Sequence, residues 1–159
     1  MRAALSLLVL LGAALASGAV PDPGTAPGDG AAVRDAWIAL APPGTRVMAG
    51  YLVLDNQRGE AIWVVGVEVS GFARAELHET VRQGPRMTMR MHERIEVAAG
   101  ARLEFKPESL HLMLFDPTAP PAAGDTRLIA LLLSDGTRIS ARARVRDRRA
   151  SADPQATHH

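Results

Sequence analysis

Cysteine is absent from this sequence of 159 residues. That absence excludes disulfide scaffolds, thiolate zinc sites, cysteine nucleophiles, Cys-ligated iron–sulfur clusters and the copper–thiolate bond of electron-transfer copper proteins. Aromatic residues make up only 4% of the chain and the net charge is +1, so neither base stacking nor a basic field favours a nucleic-acid partner. The sequence also lacks hydrolase, phosphate-loop and HExxH motifs, and we expect no enzymatic activity.

Apolar residues are plentiful enough for one core, since they make up 47% of a chain whose length fits a single domain. No segment keeps a helical period for three turns, and short β-prone runs separated by turn formers predict an all-β sandwich or barrel. Asp135-Gly136 predicts a hairpin between the last two runs. The predicted strands are 33–40, 47–55, 61–69, 74–80, 86–91, 94–97, 101–105, 110–115, 126–133 and 137–146.

Residues 1–19 have the pattern of a secretory signal peptide. Arg2 supplies a positive charge, residues 3–15 form an apolar and small-residue run, and two small-residue cleavage sites follow. A membrane anchor is the competing interpretation, but the run is shorter than a spanning helix requires. No cysteine is present to carry a lipid there. We therefore expect export to the periplasm, with no stable membrane insertion after cleavage.

The rest of the chain divides into three parts. Residues 20–32 are rich in Pro and Gly and predict a flexible linker, residues 33–146 predict the folded domain, and residues 147–159 predict a disordered tail. The predicted last strand alternates arginines with Ala and Val, which indicates a solvated strand face. A docking patch for an acidic partner is the alternative. The arginines concerned are Arg142, Arg144 and Arg146.

Methionine and histidine are concentrated between residues 78 and 113. Side chains at i and i+2 of a strand share a face, so His111 and Met113 lie side by side, on the opposite face from the flanking leucines. The same rule places Met87, Met89 and Met91 in one row and turns His78 away from the core. Taken singly, each of these residues is better explained by ordinary packing or surface placement.

Together, the thioethers and imidazoles indicate a metal site. Soft donors without thiolate or carboxylate select Cu(I) over zinc, calcium or magnesium. Thioethers also avoid the disulfide formation that threatens thiols in an exported protein. The sequence therefore predicts that Cu(I) is the bound ion.

The spacing of these residues resembles the signature of the periplasmic copper chaperones called PCuAC. In that signature, a His is followed after ten residues by Met and after a further twenty-one by His-x-Met. His78, Met89, His111 and Met113 match all four positions. Flanking segments are similar too, and the resemblance covers about residues 33–146. These segments are Ala36-Trp37, Pro43-Gly44, residues 51–56, residues 76–80, residues 87–90, Ala99-Gly100 and residues 111–114.

The resemblance implies a cupredoxin-like Greek-key β-sandwich with an exposed Cu(I) site formed by His78, Met89, His111 and Met113. It also implies a chaperone that delivers copper to the copper A centre in subunit II of cytochrome c oxidase, together with Sco-type proteins. We expect a monomer. The alternatives are a periplasmic protein that sequesters copper for tolerance or uptake, and a structural β-sandwich whose Met face only packs.

Some residues depart from the family pattern. Met91 and His92 replace the residues that usually follow Met-x-Met-Arg, and with Met87 they are candidate accessory donors, although alternation turns His92 to the other face. Glu79, Arg90 and Trp37 are candidates for orienting or covering the site, with fold support as the alternative. The chain ends in His158 and His159, which form at most a weak accessory Cu(II) site.

Overall fold

The computed structural model describes residues 30–147, and all regular secondary structure in that range is β-strand. Each of the ten runs predicted from the sequence forms a strand, so the all-β prediction is confirmed. Between residues 30 and 147, no helix has the length and apolarity needed to cross a membrane. The strands are β1 (Ala31–Ala39), β2 (Val47–Asn56), β3 (Ile62–Val69), β4 (Phe72–Gln83), β5 (Arg86–His92), β6 (Ile95–Val97), β7 (Arg102–Phe105), β8 (Leu110–Pro117), β9 (Thr126–Leu133) and β10 (Arg138–Arg146).

The first strand begins inside the segment predicted to be a linker. Ala31 and Ala32 pair with Asn56 and Asp55 of β2, and the side chain of Ala31 is buried. Because small alanines after a Pro- and Gly-rich segment carry little signal for burial, the sequence placed the start of this strand two residues too late. The rest of the predicted linker, the signal peptide and the tail beyond residue 147 lie outside the described residues.

The strands form one ten-stranded sheet with the order β5-β4-β8-β2-β1-β10-β9-β3-β6, and β7 pairs with the end of β2. The pairing of β1 with β10 is parallel, and β1 with β2 is antiparallel. Buried side chains from both halves of the sheet, such as Leu54 of β2 and Leu131 of β9, belong to one hydrophobic cluster. The sheet therefore curves over a single core, as in a β-sandwich.

Strand β10 shows how the sequence pattern generates the two faces of the sheet. Its apolar side chains alternate with polar ones, and burial follows the same period of two. Fully burying an Ile or Val side chain stabilises the fold by roughly 1.5–3 kcal/mol. The buried residues are Ile139, Ala141, Ala143 and Val145, and the exposed arginines are Arg138, Arg142, Arg144 and Arg146.

The β9–β10 hairpin forms at the predicted Asp135-Gly136 turn. Gly136 has φ +86°, a conformation that residues with a Cβ rarely adopt. The Asp135 carboxylate accepts hydrogen bonds from Arg58 Nη1 at 2.7 Å and from the Thr137 backbone N–H at 2.8 Å. These bonds, above all the one from Arg58, lower the pKa of Asp135 to about 2. The turn therefore carries a charged contact that links β10 to the loop after β2.

Close packing between β2 and β8 sets the position of the segment that carries His111 and Met113. Gly50 of β2 lies opposite Leu112 of β8. A Cβ on Gly50 would come within 3.3 Å of the Leu112 side chain. Leu112 is the residue between His111 and Met113. Because Gly50 leaves room for the Leu112 side chain in the core, His111 and Met113 lie on the other face of the strand.

Candidate metal centre

Three neighbouring strands, β5, β4 and β8, bring the predicted donors to one face of the sheet. His78 of β4 lies opposite His111 of β8 on one side and opposite Met91 of β5 on the other. Residues directly opposite each other in adjacent strands share a face. Met113 and Met89 are each two residues along their strands from these positions, so alternation places them on the same face.

The four residues matched by the PCuAC signature lie together on this face. The imidazole centroids of His78 and His111 are 6.2 Å apart. Met89, His111 and Met113 line a groove of about 770 Å³. The far wall of that groove belongs to residues 39–49, which include the connection between β1 and β2. One imidazole and two thioethers therefore line one surface depression, and the His78 ring lies next to that of His111.

His111 is buried, with 5% of its surface exposed, whereas Met89 on the same face is 61% exposed, so only part of the expected surface-exposed site is open. Its strand lies inside the sheet between β4 and β2, and the side chain forms part of the groove wall. Strand alternation predicted the correct face for His111, but it did not predict the burial, because the neighbouring strands are distant in the chain.

The hydrogen bond made by His111 determines which of its nitrogens is available to a metal. Nδ1 lies 2.8 Å from the Ser109 carbonyl oxygen, an arrangement in which Nδ1 carries the proton and donates it. The same carbonyl accepts the backbone N–H of Thr80, which ties this turn to β4. Nε2 is then the unprotonated nitrogen, and the ring is held in a fixed orientation, as is usual for metal-binding histidines.

His78 is held in the complementary way. Its Nε2 lies 2.8 Å from Glu76 Oε2, so Nε2 donates to the carboxylate. Its Nδ1 is buried and has no hydrogen-bond partner among residues 30–147. A buried nitrogen without a partner costs roughly 1–3 kcal/mol. A metal ion that accepts the Nδ1 lone pair would remove that cost, which fits His78 as a ligand.

Glu76 is a candidate positioning residue that the sequence interpretation did not single out. The hydrogen bond from His78 holds the pKa of Glu76 below its usual range and outweighs the opposing effect of partial burial, and the nearby Arg74 guanidinium adds a smaller effect. The carboxylate is therefore ionised and accepts the hydrogen bond from His78 Nε2. Glu76 precedes His78 by two residues, so strand alternation was the signal that could have identified the pair.

The thioethers of β5 are more exposed than the imidazoles. Met113 is partly buried, whereas Met87, Met89 and Met91 are 46%, 61% and 54% exposed. All three belong to β5, which is an edge strand of the sheet. Apolar side chains at this level of exposure contribute little to core packing.

His92 lies on the opposite face from these donors, with Glu79 and Arg90. His92 Nε2 and Arg90 Nη2 contact the same Glu79 carboxylate oxygen at 2.9 and 3.0 Å. Of the three accessory candidates, the structure thus separates His92 from the site and leaves Met87 and Met91 on its face. Glu79 and Arg90 do not orient the site, because they form this separate polar cluster.

Trp37 lies on β1, beside the groove but not in its wall. Its ring centroid is 4.5 Å from that of Tyr51, and the Arg146 guanidinium lies 5.8 Å from the Trp37 ring centroid. This arrangement indicates support for the sheet beside the site. The remaining candidates, His158 and His159, are outside the described residues.

Hard metal ions have no obvious site in residues 30–147. No group of three or more His, Asp or Glu side chains in that range is arranged to hold a metal ion. The two imidazoles alone are too few ligands for a metal site, and the thioethers are needed to complete the set. Such a donor set suits a soft ion such as Cu(I).

Residues 31–145 match the family described as "Putative lipoprotein LpqE-like". The chain belongs to this LpqE-like family. The putative lipoprotein Lxx21020 of Leifsonia xyli subsp. xyli (strain CTCB07) is 33% identical to it over 141 residues, which cover 86% of this chain and 84% of that protein. The uncharacterized protein RP573 of Rickettsia prowazekii (strain Madrid E) is 29% identical over 90 residues, which cover 56% and 50% of the two chains.

The fold of this LpqE-like chain is similar to solved PCuAC domains. The copper-bound PCuAC domain from PmoF2 has a TM-score of 0.63 at 15% identity, covering 74% of this chain and 93% of that domain. The solution structure of CuI-DR1885 from Deinococcus radiodurans has a TM-score of 0.59 at 27% identity, covering 83% and 84%. These likenesses confirm the predicted cupredoxin-like β-sandwich.

Proposed function

We propose that this protein is an exported Cu(I) chaperone whose ligands are His78, Met89, His111 and Met113. The observation that carries the proposal is the pair of histidines, each of which uses one nitrogen in a hydrogen bond and keeps the other for a metal. Both lie on the same face as the two thioethers. The likeness to CuI-DR1885, at 27% identity, supports copper as the bound ion.

The geometry suits binding and transfer better than turnover. All four ligands are neutral and soft, so they stabilise Cu(I) without redox chemistry by the protein. One side of the site is a buried imidazole, and the other side is an exposed thioether on an edge strand. A partner can therefore approach from the thioether side and replace ligands one at a time while the imidazoles still hold the ion.

The proposed location is the periplasm, and the proposed recipient is the copper A centre in subunit II of cytochrome c oxidase, with Sco-type proteins as further partners. The description of the family and of Lxx21020 as lipoproteins supports export. We propose a monomer as the working form. Copper sequestration is the competing role, and the two roles differ in whether bound copper leaves for a partner.

A competition titration tests the copper site. The full chain is titrated with Cu(I), without oxygen, against a chromophoric Cu(I) chelator. We expect the protein to withdraw copper from the chelator, and a variant with both Met89→Leu and Met113→Leu to lose that ability. Leucine keeps the shape of methionine and removes the sulfur. Met87→Leu is the matched control and should bind as the parent chain does.

Equal competition by the parent and the double variant would contradict the ligand assignment, and failure of the parent to compete would favour a structural sandwich. Delivery is tested separately by mixing the loaded protein with apo subunit II. Copper appearing in subunit II supports the chaperone role. Copper remaining on the protein supports sequestration.

A further inference from the structure

The register of the β4–β5 hairpin places Met91, and not Met89, directly opposite His78. His78 pairs with Met91, and Met89 pairs with Thr80. Directly opposite residues have Cβ atoms about 4.5–5.5 Å apart, whereas diagonal neighbours are farther apart, at about 7–8 Å between residues. The backbone therefore brings the Cβ atom of Met91 closer to His78 than the Cβ atoms of Met89 and Met87.

Packing does not account for Met91. The side chain is 54% exposed and belongs to an edge strand whose residues 86–91 are all exposed. The hydrophobic core cluster includes Leu77 of β4 but no residue of β5. An exposed edge strand usually carries charged residues, which discourage pairing with other chains. A thioether at this position thus fits ligand chemistry better than it fits core packing.

The donors around His78 form two groups, one that lines the groove and one that lies outside it. Met89, His111 and Met113 line the groove, but Met91 does not contribute to the groove wall. His78 lies between the groups, opposite His111 on one strand and Met91 on the other. A copper ion held by His78 therefore has thioethers available both in the groove wall and outside it.

Resting on the proposed function, we infer that Met91 is a fifth Cu(I)-binding residue, which holds the ion with His78 outside the groove. Copper arriving from a donor protein, or leaving for a recipient, is bound there in exchange with the groove position formed by His111, Met113 and Met89. The step is a ligand exchange in which one thioether leaves as another binds, with no change in copper oxidation state.

Methyl-labelled methionine tests this inference directly. The full chain is prepared with ¹³C in the methionine methyl groups, and its spectra are recorded before and after one equivalent of Cu(I). A methyl group bonded to a coordinating sulfur changes its chemical shift. We expect changes for Met89, Met113 and Met91. Met87 is the internal control, because it lies on the same face of the same strand but opposite Arg82. Its chemical shift should not change.

The outcomes separate the two proposals. If Met89 and Met113 respond while Met91 does not, the proposed function stands and the role of Met91 is overturned. If Met87 responds as strongly as Met91, the response belongs to the whole strand and the specific role is again overturned. If no methyl group responds, the copper site itself is wrong.

Transfer kinetics give a second measurement. In the Met91→Leu variant we expect copper transfer to a chelator to slow by roughly tenfold, equivalent to about 1.4 kcal/mol in the barrier. The Met87→Leu variant should transfer copper at the parental rate. Equal rates for both variants would overturn the exchange role of Met91, whatever the equilibrium affinity.

Discussion

His78 and His111 lie on β4 and β8 inside the sheet, whereas Met87, Met89 and Met91 lie on β5 at its edge. Each imidazole is fixed by a hydrogen bond, one to a carboxylate and one to a backbone carbonyl. The β5 thioethers are largely exposed, and methionine has three rotatable side-chain bonds. One region thus has donors of fixed orientation, and the other has donors that can adapt.

This difference indicates that the imidazoles and the thioethers have different roles in the proposed site. In the proposed site, the fixed imidazoles would set where the ion lies and which nitrogen atoms hold it. Adaptable thioethers let the coordination change as copper arrives and departs. Substitutions in the two regions should therefore have unequal effects, and the expected order can be tested.

The largest effect is expected for His111→Gln. Glutamine can still donate to the Ser109 carbonyl oxygen, but its amide offers no imidazole lone pair. We expect Cu(I) affinity to fall by roughly a hundredfold, about 2.8 kcal/mol. The matched change in the exposed region, Met89→Leu, should cost only roughly tenfold, about 1.4 kcal/mol, because Met91 can take over part of its role. Both affinities come from chelator competition.

A reversed order, with Met89→Leu costing more than His111→Gln, would remove the distinction between fixed and adaptable donors. Thermal unfolding of the copper-free variants provides the folding control. If the His111→Gln variant no longer unfolds cooperatively, His78→Gln takes its place in the comparison. His78→Gln is then expected to lower Cu(I) affinity more than Met89→Leu does.

A smaller effect is expected for Glu76→Gln, which weakens the support of His78 without removing a ligand. The carboxylate is the acceptor that keeps the proton on His78 Nε2 and leaves Nδ1 free. Loss of such a partner typically lowers metal affinity by about 10–100-fold, and we expect the lower end of that range because the imidazole remains. Chelator competition again supplies the measurement.

Glu79→Gln is the control for this prediction. Glu79 has the same chemistry, is three residues farther along β4 and contacts His92 and Arg90 on the other face. Its substitution should leave Cu(I) affinity unchanged. Equal losses in the two variants would indicate a general charge effect and would contradict the positioning role of Glu76.

The sequence predicted the strands well because their signals are local. Alternation of apolar and polar residues and turn formers such as Asp135-Gly136 define each strand within a few residues. The same period of two placed His111 beside Met113 and the three β5 methionines in a row. The four-residue spacing pattern then connected positions that no local rule could join.

Features that depend on contacts between distant strands were not predicted. The sequence does not say that β8 lies between β4 and β2, so it did not predict that His111 would be buried. Nor did it predict the pairing of His78 with Met91, because a slip of one residue in the hairpin would turn every methionine to the other face. The direction of the His78 ring toward Glu76 likewise depends on packing around both residues.

The smallest effect on copper is expected for Asp135→Asn, in the β9–β10 hairpin on the other half of the sheet. The folded-state pKa of Asp135 is about 2, below the usual 3.8, so its ionised form stabilises the fold above pH 3.8 and this contribution is lost as the pH falls toward 2. The variant should unfold at lower urea concentration than the parent at pH 7, and the difference should disappear near pH 2.

The Cu(I) affinity of the Asp135→Asn variant at pH 7 should match that of the parent, because the change leaves β4, β5 and β8 untouched. A stability difference that persists at pH 2 would contradict the charge pair with Arg58, and a loss of copper binding would show that the donors depend on this distant hairpin.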